Sequence, residues 1–192
     1  MLGGIAINEN WDLDDAEKQY SQVTREYRKS QYTPTANLRV KQIKSYNDSR
    51  SSIIELRKEL VAKVNIDTTN FDSTLATKPN NVDFHVNYES LANHYYNLGE
   101  LEAFHFNRPK EAILNFLMIV DSLPKTSQYS KSLFTSSYIC HQEGDSALAV
   151  SLRDSLLDQF PRSEYAEYLR IHYDMPDLDG SSNKLFREGE IT

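Results

Sequence analysis

The sequence predicts an all-α fold, an α-α solenoid of three to four helical hairpins with a long insertion loop. Four segments can be aligned on a small residue, Ala or Ser, which we call the anchor. In each segment an apolar or bulky residue lies four positions after the anchor, and the anchors are Ala16, Ser52, Ala112 and Ala149. The anchors are 36, 60 and 37 residues apart, and a recurrence close to one helical hairpin is typical of stacked repeats. The 6 Gly and 6 Pro are few for the tight reversals of a strand-rich fold.

Two hairpins are expected within residues 1–64. In the first, Asp14 and Asp15 begin a helix whose apolar residues share one face: Ala16, Tyr20, Val23 and Tyr27. Leu2-Gly3 falls midway through the helix before it, so we expect the first hairpin to be truncated and to begin before residue 1. The second hairpin is expected to pair a helix over residues 35–46 with one that follows a turn at Asn47-Asp48-Ser49.

The repeat rhythm stops over residues 65–87, where Asp, Thr, Asn and Lys78-Pro79 predict an insertion loop. This insertion accounts for the 60-residue interval between the second and third anchors. A disordered connector and a partner-binding loop both remain open, because loops of this length are uncommon unless they are disordered or functional.

Two further hairpins and a capping helix are expected over residues 88–173. Their first helices are predicted at 88–104 and 130–141, and their second helices begin at Pro109 and after Gly144-Asp145-Ser146. Pro124 and Pro161 follow the second helices, a short capping helix is expected from Ser163 to Tyr173, and residues 174–192 are predicted to be a flexible tail.

These residues resemble the tetratricopeptide repeat, a 34-residue helical hairpin with Leu-Gly in its first helix, a small Ala in its second and Pro after it. Leu98-Gly99 and Leu2-Gly3 match the first feature; Ala16, Ala112 and Ala149 match the second; Pro124 and Pro161 match the third. The chain departs from this pattern at Arg153 in place of an aromatic residue, Arg28 in place of Pro and Ser137 in place of Gly. The resemblance implies a protein-binding solenoid whose first helices line a concave face.

Two segments are also similar to bacterial cell-envelope repeat adaptors, the Tol-Pal coordinator and the outer-membrane assembly lipoprotein. They are Asn107-Arg108-Pro109-Lys110-Glu111-Ala112 and Pro161-Arg162-Ser163-Glu164-Tyr165-Ala166. This similarity implies a periplasmic or outer-membrane-associated adaptor, in a larger envelope complex. The residues by themselves carry no targeting signal, so a cytoplasmic location remains the alternative.

Composition argues against several classes of partner. The net charge of −7 disfavours nucleic acid, and the basic residues between Arg39 and Lys63 lack the interleaved aromatic row of a nucleic-acid surface. No run of about 18 apolar residues is present, so we expect no membrane insertion. Cys140 is the single cysteine, which excludes an intramolecular disulfide and a cysteine-rich zinc site.

The sequence predicts no catalytic residues, no metal site and no cofactor. None of the five histidines lies four residues from another, so the paired helical ligands of zinc hydrolases are missing. Glycine-rich phosphate loops and a Gly-x-Ser-x-Gly nucleophile motif are also missing. We therefore expect a non-enzymatic protein.

We expect a peptide or helix of a partner protein to bind on the face formed by the first helices. The candidate residues are Asn93, Tyr96 and Glu100 in one hairpin, and Lys131, Phe134, Tyr138 and His141 in the next. Tyr96 and Phe134 have a second interpretation, as packing between repeats. Two other functions also remain open: a structural assembly unit of a larger repeat protein, and the handle of an enzyme whose catalytic part lies outside this chain.

Overall fold

The computed structural model of the protein describes Gly3, Ile7 and residues 11–69 and 81–173. In this part of the chain seven helices are present and no strand, which confirms the predicted all-α class. Gly3 and Ile7 also have helical backbone. The helices are α1 (Leu13–Glu26), α2 (Thr33–Thr69), α3 (Asn81–Phe104), α4 (Pro109–Ser122), α5 (Tyr129–Gln142), α6 (Ser146–Gln159) and α7 (Glu164–His172).

The chain divides into two compact units, Met1–Gln128 and Tyr129–Thr192. Within the first unit, α1 packs on α2, α2 on α3 and α3 on α4. Within the second unit, α5 packs on α6, and α7 contacts both of these helices.

The predicted turn at Asn47-Asp48-Ser49 is wrong, because α2 is one continuous helix of 37 residues. The two helices expected for the second hairpin are halves of this helix. Long-range contacts explain the difference: Asn97 Nδ2 of α3 donates to Ser49 Oγ at 2.7 Å and to Ser45 Oγ at 3.0 Å. Tyr46 and Ile53 are buried on either side of Ser49, so tertiary packing overrides the turn propensity of these residues.

Much of the predicted insertion at 65–87 is helical. The end of α2 includes residues 65–69, and α3 begins at Asn81. The remaining predicted loop, residues 70–80, lies outside the described residues, as does the predicted tail at 174–192.

Several helix starts agree with the sequence signals. The Asp12 carboxylate accepts a hydrogen bond from the Asp15 amide at 2.8 Å, and Pro109 occupies the first turn of α4. Asp145 caps α6 through the Leu148 amide at 3.1 Å, directly after Gly144, whose φ of +86° turns the chain. The Ser163 hydroxyl accepts a hydrogen bond from the Ala166 amide at 3.2 Å and starts α7. These local caps fix where α1, α4, α6 and α7 begin.

Glycine allows two pairs of helical segments to approach closely in the first unit. A Cβ built at Gly99 would lie 2.7 Å from the Phe116 ring, and one at Gly3 would lie 2.9 Å from the Tyr20 ring. Each glycine precedes its Ala anchor by 13 residues, at Ala112 and Ala16. At the same distance before Ala149 stands Ser136, which is fully buried.

Candidate functional site

The predicted partner-binding residues lie on one helix of each unit. Asn93, Tyr96 and Glu100 lie on α3 of the first unit, at spacings of three and four that place them on one face. The other four lie on α5 of the second unit with the same kind of spacing, and they are Lys131, Phe134, Tyr138 and His141.

On α3, the aromatic member of the set is part of the core. Tyr96 is only 6% exposed, and its ring centroid lies 5.2 Å from that of Phe116 on α4. Asn93 and Glu100 are exposed, and the Asn93 side-chain oxygen accepts a hydrogen bond from Gln128 Nε2 at 2.8 Å. Burial therefore favours the packing interpretation of Tyr96, and the α3 set offers a partner polar groups without an aromatic anchor.

On α5, aromatic side chains extend from the core to the surface. Phe134 is half-buried and stacks on Tyr165 of α7, with ring centroids 5.3 Å apart and an interplanar angle of 26°. Tyr138, one turn further on, is 47% exposed, and its hydroxyl accepts a hydrogen bond from Gln142 Nε2 at 2.7 Å. Lys131 is half-buried and His141 is exposed.

Helix α7 continues this group of rings. Tyr168 is 52% exposed and meets Phe134 edge to face at 5.5 Å. It also stacks on His172 at 5.7 Å and 10°, and His172 meets Tyr173 at 5.0 Å. We define the aromatic surface as Phe134, Tyr138, Tyr165, Tyr168, His172 and Tyr173.

The local sequence of α7 explains why its rings face outwards. Ala166 and Leu169 are buried and three residues apart, so they hold one side of α7 against α5 and α6. Tyr165, Tyr168 and His172 recur at spacings of three and four on a neighbouring side. Arg170 Nη1 also donates to the Pro161 carbonyl oxygen at 2.7 Å, which ties the helix to the turn before it.

The sequence predicted α7 only as a capping helix, and its aromatic row was not predicted. The signal was present in the spacing of Tyr165, Tyr168 and His172, which are three and four residues apart and therefore lie on one side of a helix. Recognising the row as a surface also required the contact of Phe134 with Tyr165 and Tyr168, which sequence spacing does not provide.

Chemically, the aromatic surface offers ring faces, phenolic hydroxyls and an imidazole, and a guanidinium group lies next to it. Arg153 of α6 lies over the Tyr173 ring, with its Cζ 5.2 Å from the ring centroid. Contiguous exposed rings are uncommon on a protein surface, since each costs free energy when it is left in water. Tyrosine is favoured at protein interfaces because it buries a large area and retains a polar end.

The described groups with perturbed pKa values lie in the interior. Glu102 of α3 is 3% exposed, and it accepts hydrogen bonds from the Tyr46 hydroxyl at 2.9 Å and from Asn115 Nδ2 at 2.7 Å. Burial raises the pKa of its carboxyl, and the two hydrogen bonds oppose this shift. Burial, together with the nearby Glu102 charge, also raises the pKa of Tyr46. The Glu102 carboxyl group thus links α3 to α2 and α4 through two uncharged donors.

Cys140 lies in the core of the second unit. It is fully buried, and burial followed by the charge of Asp145 raises the pKa of its thiol. The thiolate, which is the reactive form, is disfavoured in this environment. Among the side chains that the structure describes, residues 11–62 and 87–173, no three His, Cys, Asp or Glu are grouped so that they could hold a metal ion.

Comparisons of the chain with protein-family models, with curated proteins and with solved structures found no match. For the helices that the structure describes, none has both the length and the apolar character that crossing a membrane requires.

Proposed function

We propose that this protein is a non-enzymatic adaptor that binds a peptide segment or a helix of a partner protein across the aromatic surface. The observation that carries the proposal is the continuous contact of rings from α5 to α7, with Tyr138 and Tyr168 about half exposed. Interfaces draw most of their binding free energy from a few aromatic anchors. The Tyr168 ring already contacts Phe134 and His172 before any partner arrives, which lowers the cost of ordering it on binding.

The hairpins α3/α4 and α5/α6 support a tetratricopeptide-like arrangement as part of the same proposal. Both hairpins place a small residue of the first helix, Gly99 or Ser136, 13 positions before the Ala anchor of the second. On this reading α5 and α7 are consecutive first helices, and the aromatic surface is the face that such helices present to a ligand. A cell-envelope location also belongs to the proposal, and it rests on the likeness of residues 107–112 and 161–166 to envelope adaptors.

Affinity measurements with selected peptides test this function. A random peptide library is panned against the whole protein, and enriched peptides are titrated against the wild type, Tyr138→Ala and Tyr168→Ala. Each substitution removes an exposed ring, so we expect at least about a tenfold loss of affinity, which corresponds to about 1.4 kcal/mol. Circular dichroism should remain unchanged, since neither side chain is buried.

Tyr88→Ala is the matched control, because Tyr88 is an exposed tyrosine of the first unit. It should leave the peptide affinity unchanged. Equal affinity for the wild type and the Tyr138→Ala/Tyr168→Ala double variant would contradict the proposal. Concentration-dependent self-association that the double variant abolishes would instead support the structural assembly unit.

A further inference from the structure

The second unit, which carries the aromatic surface, is more acidic than basic. Its described part, residues 129–173, contains six Asp or Glu and four Lys or Arg. Arg153, the base beside the aromatic surface, pairs with Asp154 at 3.3 Å, so an adjacent carboxylate offsets its charge. Glu164 adds an exposed carboxylate in the first turn of α7, the helix that bears most of the rings.

Glu164 shares one side of α7 with two members of the aromatic surface. Tyr168 and His172 follow it at intervals of four residues, a spacing that forms a row along a helix, with about 5–6 Å between successive Cβ atoms. In the part of the chain that the structure describes, no salt bridge reaches Glu164 and no guanidinium lies over the Tyr168 ring. The row therefore presents a carboxylate beside a ring that is 52% exposed.

At two other places in the chain, an arginine contacts both a ring and a carboxylate. Arg108 lies over the Trp11 ring, with its Cζ 3.8 Å from the ring centroid, and its Nη2 pairs with the Glu111 carboxylate. Arg153 lies over the Tyr173 ring at 5.2 Å and pairs with the adjacent aspartate. A guanidinium can do both because its planar face stacks on the ring while its N–H groups donate to the carboxylate. Glu164 and Tyr168 offer the same two groups to an arginine of another molecule.

We propose that the segment bound by the aromatic surface is basic, and that one of its arginines lies on the Tyr168 ring and pairs with the Glu164 carboxylate. This inference rests on the proposed function and specifies the chemistry of its ligand. Arginine fits better than lysine, since an ammonium group is a compact charge without a planar face. The net charge of −7 also attracts a cationic segment and speeds its encounter with the protein.

Charge also distinguishes a separate basic molecule from the residues that follow α7 in this chain. Residues 174–192 contain five Asp or Glu and two Lys or Arg. An acidic segment is repelled by the exposed carboxylates of Glu164 and Glu167, whereas a basic segment is attracted by them. Charge complementarity therefore assigns the aromatic surface to a basic segment of another protein.

Three peptide libraries test the chemistry of the ligand. They are identical random libraries, except that a fixed central position holds Arg, Gln or Glu, and each is panned against the whole protein. We expect the strongest enrichment from the Arg library. A peptide selected from it should lose at least about tenfold in affinity when its central Arg is replaced by Gln, since a cation–π contact and an ion pair are lost together.

Two protein variants test where this arginine binds. At about 0.15 M salt, which screens charges beyond about 8 Å, Glu164→Gln should weaken binding of the Arg peptide by at least about threefold. It should leave the affinity of the Gln form unchanged, because that form has no charge to pair. Glu167→Gln is the matched control: Glu167 is an exposed glutamate in the same turn of α7, but it lies outside the row of Tyr168 and His172. It should leave both affinities unchanged.

The possible failures of the inference and of the adaptor function can be told apart. Equal affinity for the Arg and Gln peptides, equal effects of Glu164→Gln and Glu167→Gln, or strongest enrichment from the Glu library would overturn the inference. The adaptor function would still stand if Tyr138→Ala and Tyr168→Ala weakened binding of the selected peptides. Binding that neither tyrosine substitution weakens would contradict the adaptor function, and the inference with it.

Discussion

Among single residues, Gly99 and Glu102 of α3 contribute to the first unit in different ways. Gly99 lacks a side chain where α3 meets the Phe116 ring, so the two helix backbones can approach closely. Glu102 places a carboxyl group in the interior, where it accepts two hydrogen bonds and has no salt bridge within the described chain. One position is constrained by space and the other by the cost of burying a charge.

Gly99→Ala should destabilise the protein, although alanine is the better helix former. The gain in helix propensity is about 1 kcal/mol, but the new Cβ would lie 2.7 Å from a fully buried ring that Tyr96 holds in place. Overpacking of this kind costs about 1–3 kcal/mol, so we expect a net loss in the free energy of unfolding, measured by urea denaturation. In a Phe116→Leu background the loss should disappear, and additive costs of the two substitutions would refute the steric explanation.

The stability of the Glu102→Gln variant, compared with that of the wild type at the same pH, should increase as the pH rises. Because burial raises the pKa of Glu102, the folded state binds this proton more tightly than the unfolded chain. The resulting stabilisation is complete below the unfolded pKa and is lost as the pH rises through the folded pKa. The free energy of unfolding of the variant, minus that of the wild type, should therefore increase as the pH rises above the unfolded pKa of a glutamate, about 4.3.

Glu100→Gln is the matched control for this measurement, since Glu100 is an exposed carboxylate on the same helix. This variant also removes one negative charge from α3, so it shows how much of the effect comes from the lost charge alone. The burial argument would be wrong if the two variants showed the same dependence on pH.

At the scale of elements, helix starts were predictable and the length of α2 was not. Pro109, Asp145 and Ser163 act within about one turn of their own positions, so their effect can be read from neighbouring residues. Ser49 instead receives its hydrogen bond from Asn97, 48 residues away, and no local pattern reports such a contact. The aromatic surface divides in the same way: periodicity identified Phe134 and Tyr138, but the contact of Phe134 with the rings of α7 comes from packing.

Substitutions at Asp48 test whether α2 is continuous. Asp48 is exposed and lies inside the helix, where Asp is a poorer helix former than Ala. Asp48→Ala should therefore raise the free energy of unfolding by about 0.5 kcal/mol, and Asp48→Pro should lower it by about 3 kcal/mol or more. A turn at this position would tolerate proline, so a small effect of Asp48→Pro would contradict the continuous helix.

For the whole molecule, helical hairpins recur, but they differ in which of their surfaces are covered by neighbouring helices. The first unit leaves a groove beside α1, and the second unit exposes rings on α5 and α7. The repeat spacing predicted hairpins, but it did not predict which surfaces stay open, because that depends on which helices pack on them. The net charge of −7 repels polyanions in general. The proposal assigns the specificity of binding to the rings of the aromatic surface.

Tyrosine-selective NMR gives the most direct test of the proposed adaptor function. The protein is labelled with ¹³C at its 12 tyrosines, each signal is assigned with a Tyr→Phe variant, and a library-selected peptide is added. We expect the ring signals of Tyr138 and Tyr168 to shift as the peptide saturates the protein, and that of Tyr88 to stay in place. Shifts confined to tyrosines of the first unit, or no shift at saturation, would contradict the assignment of partner binding to the aromatic surface.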